Sequence, residues 1–560
     1  MVMRTLREIV VCSLDMRHRR LVVLGLCVLA AFFVAGAQER SERVDLDVVH
    51  RIRQEAANNS KVMDHVFQLT DVVGHRLTNS PGYFKAASWI ETQMKEWGIE
   101  AHQEPWGPFG RGWDFSNFSA RMVTPVSFPL IGAPKAWTPG TNGKVRGEVM
   151  VASIQNDEDI ERYRGKLKDK IIFMGTGRDL ALPTDAAASR FTEQQLQNLV
   201  NAPAAAAKGR GAPGTAALNA GRGPGGGGPG GGRGGPDRDE FNNKLNRFLV
   251  QEGVLVVVGI AGQASEAGNV FVQAGGSWDP KNPVPPPSVA LTPEHYNRVL
   301  RLLDEKIPVT LEFEIETQFF DDRTDSVNVI AEIPGTTKRD EVVMIGALLD
   351  SWHGGTGATD NAAGCAVMIE VMRVLKELKL PMARTVRMGL WSGEEQGLFG
   401  SRKYVDQHFS ERDMKLKPEH AKLSAYFNVD NGTGKIRGIY LQGNDRLRPV
   451  FQTWLAPFAD MGATTVSIRN TGGTDHTNFD LVGLPGFQFI QDQVDYNTRT
   501  HHSMMDVYDR IQREDMQQMV AIVTSFVYNA ATRDDLLPRK PLPAAKGKDK
   551  GKGGDAATKQ

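Results

Sequence analysis

From residue 326 onward the chain alternates short apolar runs with amphipathic ones, and that alternation leaves few architectures open. Val342–Leu349 is a wholly apolar run that stops at Asp350, and residues 362–378 repeat apolar positions at helical spacing. Thr385–Trp391 has strand character, 396–407 helical, and Ala425–Val429 and Gly438–Leu441 strand character again. A strand with no polar alternation is buried on both faces, and strands that alternate with helices build a largely parallel sheet covered by those helices. The expected fold class is α/β, a mixed, largely parallel sheet flanked by helices. In such a sheet, functional residues gather beyond the carboxyl ends of the strands.

The preceding chain has a different texture. Residues 1–37 read as an export signal: Arg17, Arg19 and Arg20 precede the apolar run Leu21–Val34, and Ala35-Gly36-Ala37 offers a small-residue cleavage site. That run is too short to cross a bilayer comfortably, so the expectation is a secreted or periplasmic protein with no stable membrane span after processing. Residues 38–124 carry two helical patterns around the turn His75–Gly82 and belong with the main domain. Residues 125–312 change to short β-like runs such as Val145–Ala152 and Lys170–Met174, which marks an inserted β-rich domain. Within it, 202–236 is dominated by Gly, Ala, Pro and Arg, a composition that buries too little apolar surface to offset its ordering entropy, so a disordered loop is expected. Residues 313–535 complete the main domain, and the Lys-, Gly- and Ala-rich tail 536–560 is expected to be disordered.

Composition excludes some partners. Lys+Arg and Asp+Glu number 66 each, so no net field recruits nucleic acid. Of three cysteines, two lie in the export segment, leaving Cys365 in an apolar helical pattern where a core position is expected.

Four clusters of acidic and imidazole residues stand at expected strand ends of the last domain. They are Asp350-Ser351-Trp352-His353 with Asp360-Asn361 ten residues after Asp350, then Ser392-Gly393-Glu394-Glu395, then Asn428-Val429-Asp430, and finally His501-His502-Ser503 with Asp506. One carboxylate at a strand end is ordinarily a cap or a solvated turn. Several at once have another explanation. Amide hydrolysis at two metal ions needs a carboxylate that bridges them, further N/O ligands on each, and a base to take a proton from water. Asp360, Glu395, Asp430 and His502 are of the required types. Rival hydrolase signatures, a Gly-x-Ser-x-Gly elbow or a His-Glu-x-x-His helix, are missing from the sequence.

The order Asp350, Asp360-Asn361, Glu394-Glu395, Asp430, His502 resembles the zinc exopeptidase family that contains bacterial secreted aminopeptidases and plasma glutamate carboxypeptidase. The resemblance covers roughly residues 42–531 and implies the zinc exopeptidase fold with an inserted protease-associated domain at 125–312. It further implies two zinc ions, a peptide or dipeptide substrate, Asp360 as bridging ligand, Glu395, Asp430 and His502 as terminal ligands, Glu394 as general base, and Asp350 as the carboxylate behind a histidine ligand. The family pattern His-Ser/Thr-x-x-Asp selects His502 over His501, and Gly472–His476 resembles a segment that places Asp475 and His476 beside the substrate.

The departure is as specific as the match. Family members read Gly-Ala-His-Leu-Asp-Ser-Trp where this chain reads Gly346-Ala347-Leu348-Leu349-Asp350-Ser351-Trp352. Leu348 cannot ligate a metal, so the ion sharing Asp360 and Asp430 loses its imidazole. Glu395, His502 and Asp360 still offer three ligands to the other. His353, five residues on, is an imidazole that could replace the missing one if its Gly-rich turn allowed. Two expectations of different class stand: an exported exopeptidase weakened at one metal, or a non-catalytic relative that keeps the scaffold for binding. Preference for amino or carboxyl termini is not legible, and neither is oligomeric state, for which a homodimer is allowed.

Overall fold

A computed structural model describes residues 42–203, 236–262, 268–411 and 413–543. The expected export segment, nearly all of the Gly-rich stretch 202–236, and the tail from 544 lie outside the described residues. The unit from Asp45 onward contains two eight-stranded sheets.

The first sheet runs in the order Glu100–Trp106, Ser326–Ile333, Arg384–Trp391, Lys338–Leu348, Leu423–Asn428, Gly486–Gln491, Ile436–Tyr440, Thr465–Ser467. Four adjacent strands, Arg384–Trp391 to Gly486–Gln491 in that order, are parallel to one another; Ser326–Ile333 pairs antiparallel with both of its neighbours, and Ile436–Tyr440 is antiparallel to Gly486–Gln491 but parallel to Thr465–Ser467. The sheet is therefore mixed, as expected, with a parallel centre. The apolar run that constrained the sequence is the middle of it: Val343, Met344, Ile345, Ala347 and Leu348 are all fully buried.

Helices Ala363–Glu377, Arg513–Thr532 and Leu46–Asn58 pack together, and Phe526 of the second meets Phe427 of the sheet edge-on at 5.8 Å. Trp391 and Tyr426 of the sheet pack with Tyr404 and Phe479, the Tyr426 and Phe479 rings stacking at 4.1 Å. Burying each such side chain contributes about 2 kcal/mol. Helix Pro81–Glu96 starts where its sequence says it should: the Ser80 hydroxyl accepts from Tyr83 N–H, and Pro81 occupies the first turn. Two expected helices are broken. The first stops at Asn58 and resumes at Val62, and the one expected over 396–407 is divided at Leu398, whose φ of 58° is left-handed, into Glu394–Gly397 and Phe399–His408.

The second sheet has the order Phe128–Pro129, Gly112–Thr124, Thr310–Phe320, Lys144–Ala152, Lys170–Met174, Val256–Ile260, Ser288–Leu291, Gly132–Pro134. It has its own apolar core, in which Phe173 stacks on Tyr296 at 4.7 Å. It also reaches beyond the 125–312 bounds read from the sequence. The outgoing strand Gly112–Thr124 and the returning strand Thr310–Phe320 pair with each other along their length, so the switch from one sheet to the other precedes the change in sequence texture.

A short seam joins this second region to the loop after Gly486–Gln491. Val272 N–H donates to His502 O at 3.2 Å and Met504 N–H to Val270 O at 2.9 Å, with Phe271 bridged to Ser503. Part of the expected disordered tail is docked. Leu537 is buried, Arg539 donates to the carbonyls of His420 and Leu423, and Lys540 pairs with Asp480. No helix among the described residues is long and apolar enough to cross a membrane.

Candidate active site

The parallel strands end on one side of the first sheet, and the segments that follow them carry carboxylates and a histidine. Asp350 follows Leu348, and Glu394 and Glu395 open the short helix after Trp391. That turn is entered through Gly393, whose φ of 66° suits glycine. Asp430 follows Asn428, Asp360 lies in the π-helical turn Ala358–Ala362, and His502 is carried by the loop after Gln491.

Three of these side chains converge. His502 Nε2 stands 3.0 Å from Glu395 Oε2 and 3.2 Å from Asp360 Oδ2. They line a small cleft together with Trp352, Gly355, Ser503 and Asp506. Asp506 supports Asp360 from behind, accepting from the backbone N–H of Thr359 and of Asp360. Asp350 does similar work for the acidic turn. Its carboxylate accepts from Glu394 N–H at 3.2 Å, from Glu395 N–H at 3.3 Å and from the Thr78 hydroxyl at 2.9 Å. It therefore holds the start of a helical turn, where backbone N–H groups face a negative charge.

So many buried carboxylates cannot all be ionised without a positive partner. Burial, then repulsion from Asp430, Asp475, Glu395 and Asp350, pushes Glu394 well above the usual carboxylate range. Burial and Asp360 push Glu395 to about 8 and Asp430 to about 7. Burial would lower His502, but Glu395 and Asp360 outweigh it and raise the imidazole to about 10. A metal ion between these carboxylates and the ring would relieve the same repulsion in place of the imidazole's proton.

The remaining valences agree with that. Asp360 Oδ2 and Glu395 Oε1 are buried without a hydrogen bond of good geometry, and among the described residues Asp360, His501 and His502 place their ligand atoms within 4.8 Å of one another. Two carboxylates and an imidazole with lone pairs to spare fit the ligand chemistry of zinc.

Other residues singled out from the sequence stand elsewhere. Leu348 is completely buried, with Cys365 Sγ–H donating to its carbonyl at 2.9 Å, so that position is apolar packing and Cys365 is core. His353 is not a replacement imidazole. Its Nε2 is 2.7 Å from Pro134 O, it packs edge-on to Trp113 and Phe115, and burial pushes it down to about 4. Asp475 is fully buried with neither oxygen hydrogen-bonded, and burial followed by repulsion from Asp430 and Asp350 pushes it well above the usual range. His476, by contrast, turns its Nε2 to Thr471 O at 3.2 Å, and burial holds it near 4.

Sequence reasoning missed three supports. The side-chain amide of Gln273, from the second region, lies 3.0 Å from His502 Nδ1. Arg76 is fully buried and donates to the carbonyls of Leu349, Thr356 and Gly357, pinning both ends of the loop between Asp350 and Asp360. Thr78 ties the turn before the first-sheet helices to Asp350. Only the turn signal at His75–Gly82 hinted at the last two; nothing local marks Gln273.

Residues 328–527 match the model of "Peptidase family M28". Carboxypeptidase Q of Mus musculus is 30% identical over 253 residues, 45% of this chain and 52% of that protein. Aminopeptidase YwaD of Bacillus subtilis (strain 168) is 30% identical over 216 residues, 37% of this chain and 46% of that protein. The chain thus spans about half the length of the curated relatives it matches. Among solved structures, a peptidase M28 precursor from Shewanella amazonensis SB2B superposes with a TM-score of 0.60 at 22% identity, covering 89% of this chain and 98% of that one. BSAP, a zinc aminopeptidase from Bacillus subtilis, gives 0.52 at 18% identity, covering 86% and 96%. These two likenesses show the fold.

Proposed function

We propose, from the premise that residues 328–527 belong to peptidase family M28, that the protein is an exported zinc-dependent exopeptidase, weakened at one of two metal positions by Leu348. The observation that carries this is the convergence of His502 Nε2 on Glu395 Oε2 and Asp360 Oδ2 at 3.0 and 3.2 Å.

Asp360, Glu395 and His502 would hold one zinc ion, and Asp360 with Asp430 a second that lacks an imidazole at Leu348. Zinc bound there would polarise the scissile carbonyl and ease ionisation of water. Glu394, pushed well above the usual carboxylate range by burial and neighbouring acids, is suited to take the proton from water and return it to the leaving amine. Asp350 keeps Glu394 and Glu395 at the cleft by accepting from their N–H groups. Asp475 is fully buried, and its role beside the substrate rests on the resemblance of Gly472–His476 to the family segment. The second sheet is read as an inserted protease-associated domain, and the substrate as the terminus of a peptide or dipeptide.

A second reading, a non-catalytic relative that uses the scaffold for binding, is favoured by Leu348 alone. Zinc content measured beside hydrolysis of a panel of aminoacyl and dipeptide substrates separates the two. The expected result is bound zinc and slow release of terminal residues. Protein that takes up no metal during zinc-replete dialysis, and that gains nothing from Leu348→His, is not a peptidase of this kind.

A further inference from the structure

We propose that Arg190, carried by a strap of the second region, is a positioning residue for the zinc centre, because it anchors the loop that brings His502 to Asp360 and Glu395. This rests on the metallopeptidase reading and adds to it a role for a segment that none of the site's motifs includes.

Residues 187–200 belong by sequence to the second region, yet they pack on the first sheet. Helix Glu193–Val200 opens with a capping box, in which the Thr192 hydroxyl accepts from Gln195 N–H and the Gln195 side chain accepts from Thr192 N–H. Leu196 and Leu199 of that helix, with Phe191 before it, pack against Tyr440 and Ile490 of the first sheet, and the Ser467 hydroxyl donates to Leu199 O at 2.6 Å. Just ahead of the helix the strap runs antiparallel to the loop that leaves strand Gly486–Gln491. Ser189 N–H donates to Val494 O and Phe191 N–H to Asp492 Oδ1, both at 2.9 Å, and the Thr498 hydroxyl donates to Ala187 O at 2.6 Å.

Arg190 locks this arrangement electrostatically. Its Nη1 stands 3.2 Å from Asp492 Oδ2, at the start of the loop, and 2.7 Å from Asp515 Oδ2 in helix Arg513–Thr532. Both carboxylates are buried, and Arg437 of the first sheet shares Asp492 at 3.3 Å. Taking the Arg190 cation away from two buried carboxylates leaves charge uncompensated, which drives the start of the loop toward water. The far end of the loop is held by the second region as well: the Asn269 amide donates to Arg499 O at 2.9 Å and Val272 N–H to His502 O at 3.2 Å. The second region thus grips the loop on both sides of the turn Tyr496–Thr500, and His502 stands at its end. Zinc accepts a nitrogen ligand only at about 2.0–2.1 Å. A loop released at its start has to be ordered again whenever the ion binds, and that entropy cost weakens the affinity.

Chelator competition on the full chain measures zinc affinity without reference to activity. Arg190→Met is expected to weaken the tightest zinc site by about tenfold or more, the scale on which supports behind a metal ligand act. Arg190→Lys, which keeps the cation, should hold the parental affinity, and so should Arg146→Met, which removes an ion pair with Glu312 on the second sheet. Coupling between two sites is reciprocal, so zinc added to the parent should slow hydrogen–deuterium exchange in peptides spanning residues 187–194. Arg190→Met protein that binds zinc as the parent does overturns the proposal, even if its thermal stability falls, because Arg190 is then merely structural. If Arg190→Met does not fold, exchange in the parent decides: protection of 187–194 by zinc supports the proposal, and indifference to zinc overturns it. A parent that takes up no zinc overturns the metallopeptidase reading and this proposal with it.

Discussion

The side-chain amide of Gln273 stands 3.0 Å from Nδ1 of His502, while Nε2 of the same ring faces Asp360 and Glu395. The atom of Gln273 that faces Nδ1 is the amide nitrogen; a ring that binds metal through Nε2 carries its proton on Nδ1, and the amide then turns over to present its oxygen as acceptor. A residue of the second region thereby braces a histidine at the centre of the first. Gln273→Ala is expected to lower zinc affinity by about 10- to 100-fold, the usual effect of removing such a partner. Competition with a chromogenic chelator measures it, and unchanged affinity would show that the seam does not orient His502.

Glu394 lies in the acidic turn held by Asp350 and belongs to neither the His502 nor the Asp360 contact. Replacing it with Gln should leave zinc content unchanged and lower hydrolysis by about 10²- to 10⁴-fold, the range for loss of a general base. Hydrolysis at the parental rate would remove the base assignment.

Leu348 is the last residue of the strand Lys338–Leu348, where the family resemblance expects a histidine ligand. Leu348→His is expected to tighten the weaker zinc site and raise turnover. The substitution brings a polar ring into packing that is wholly apolar, so a fall in thermal stability should accompany the gain when metal is withheld. Tighter zinc with unchanged turnover would place the defect elsewhere.

Arg76 is buried without exposure, and its guanidinium donates to the carbonyls of Leu69, Gly74, Leu349, Thr356 and Gly357. Arg76→Met keeps length and apolar contact but strands those carbonyls. At about 1–3 kcal/mol for each buried group left unpaired, a loss of roughly 3 kcal/mol or more is expected in denaturant unfolding. Zinc affinity should fall with it, since the loop ends beside Asp350 and Asp360 are released.

His408 reports on pH. Burial would lower its imidazole, but Glu104 at 3.0 Å and Glu419 at 3.6 Å raise it from 6.5 to about 9. The stabilisation is fully present below pH 6.5 and is lost as pH rises through 9. At this half-buried site it is on the order of 1 kcal/mol once solvent screening is allowed for. His408→Gln should therefore flatten the fall in unfolding free energy between those limits. A parental slope in the variant would assign that pH dependence to other groups.

Much of this molecule was legible one segment at a time. The apolar run before Asp350, the helix start at Ser80 and Pro81, and the placing of Asp360, Glu394, Glu395, Asp430 and His502 after apolar runs are local patterns, and hydrophobic periodicity records local structure directly. The same locality misled where a backbone break interrupts a periodic stretch, as at Leu398, and where strands pair before the sequence texture changes, as between Gly112–Thr124 and Thr310–Phe320.

The sequence by itself determined which chemical groups are present, their order along the chain, and a leucine at 348 where the resemblance expects a histidine. Only the tertiary structure decided what each group faces. It committed His353 to Pro134, turned His476 toward Thr471, stacked His501 on His502, and brought Gln273 to a ring 229 positions away. The reason is physical: whether a polar group serves as ligand, brace or core depends on the charges and unpaired atoms within a few ångströms of it. Packing of distant segments sets those distances, and no local pattern in the chain encodes them.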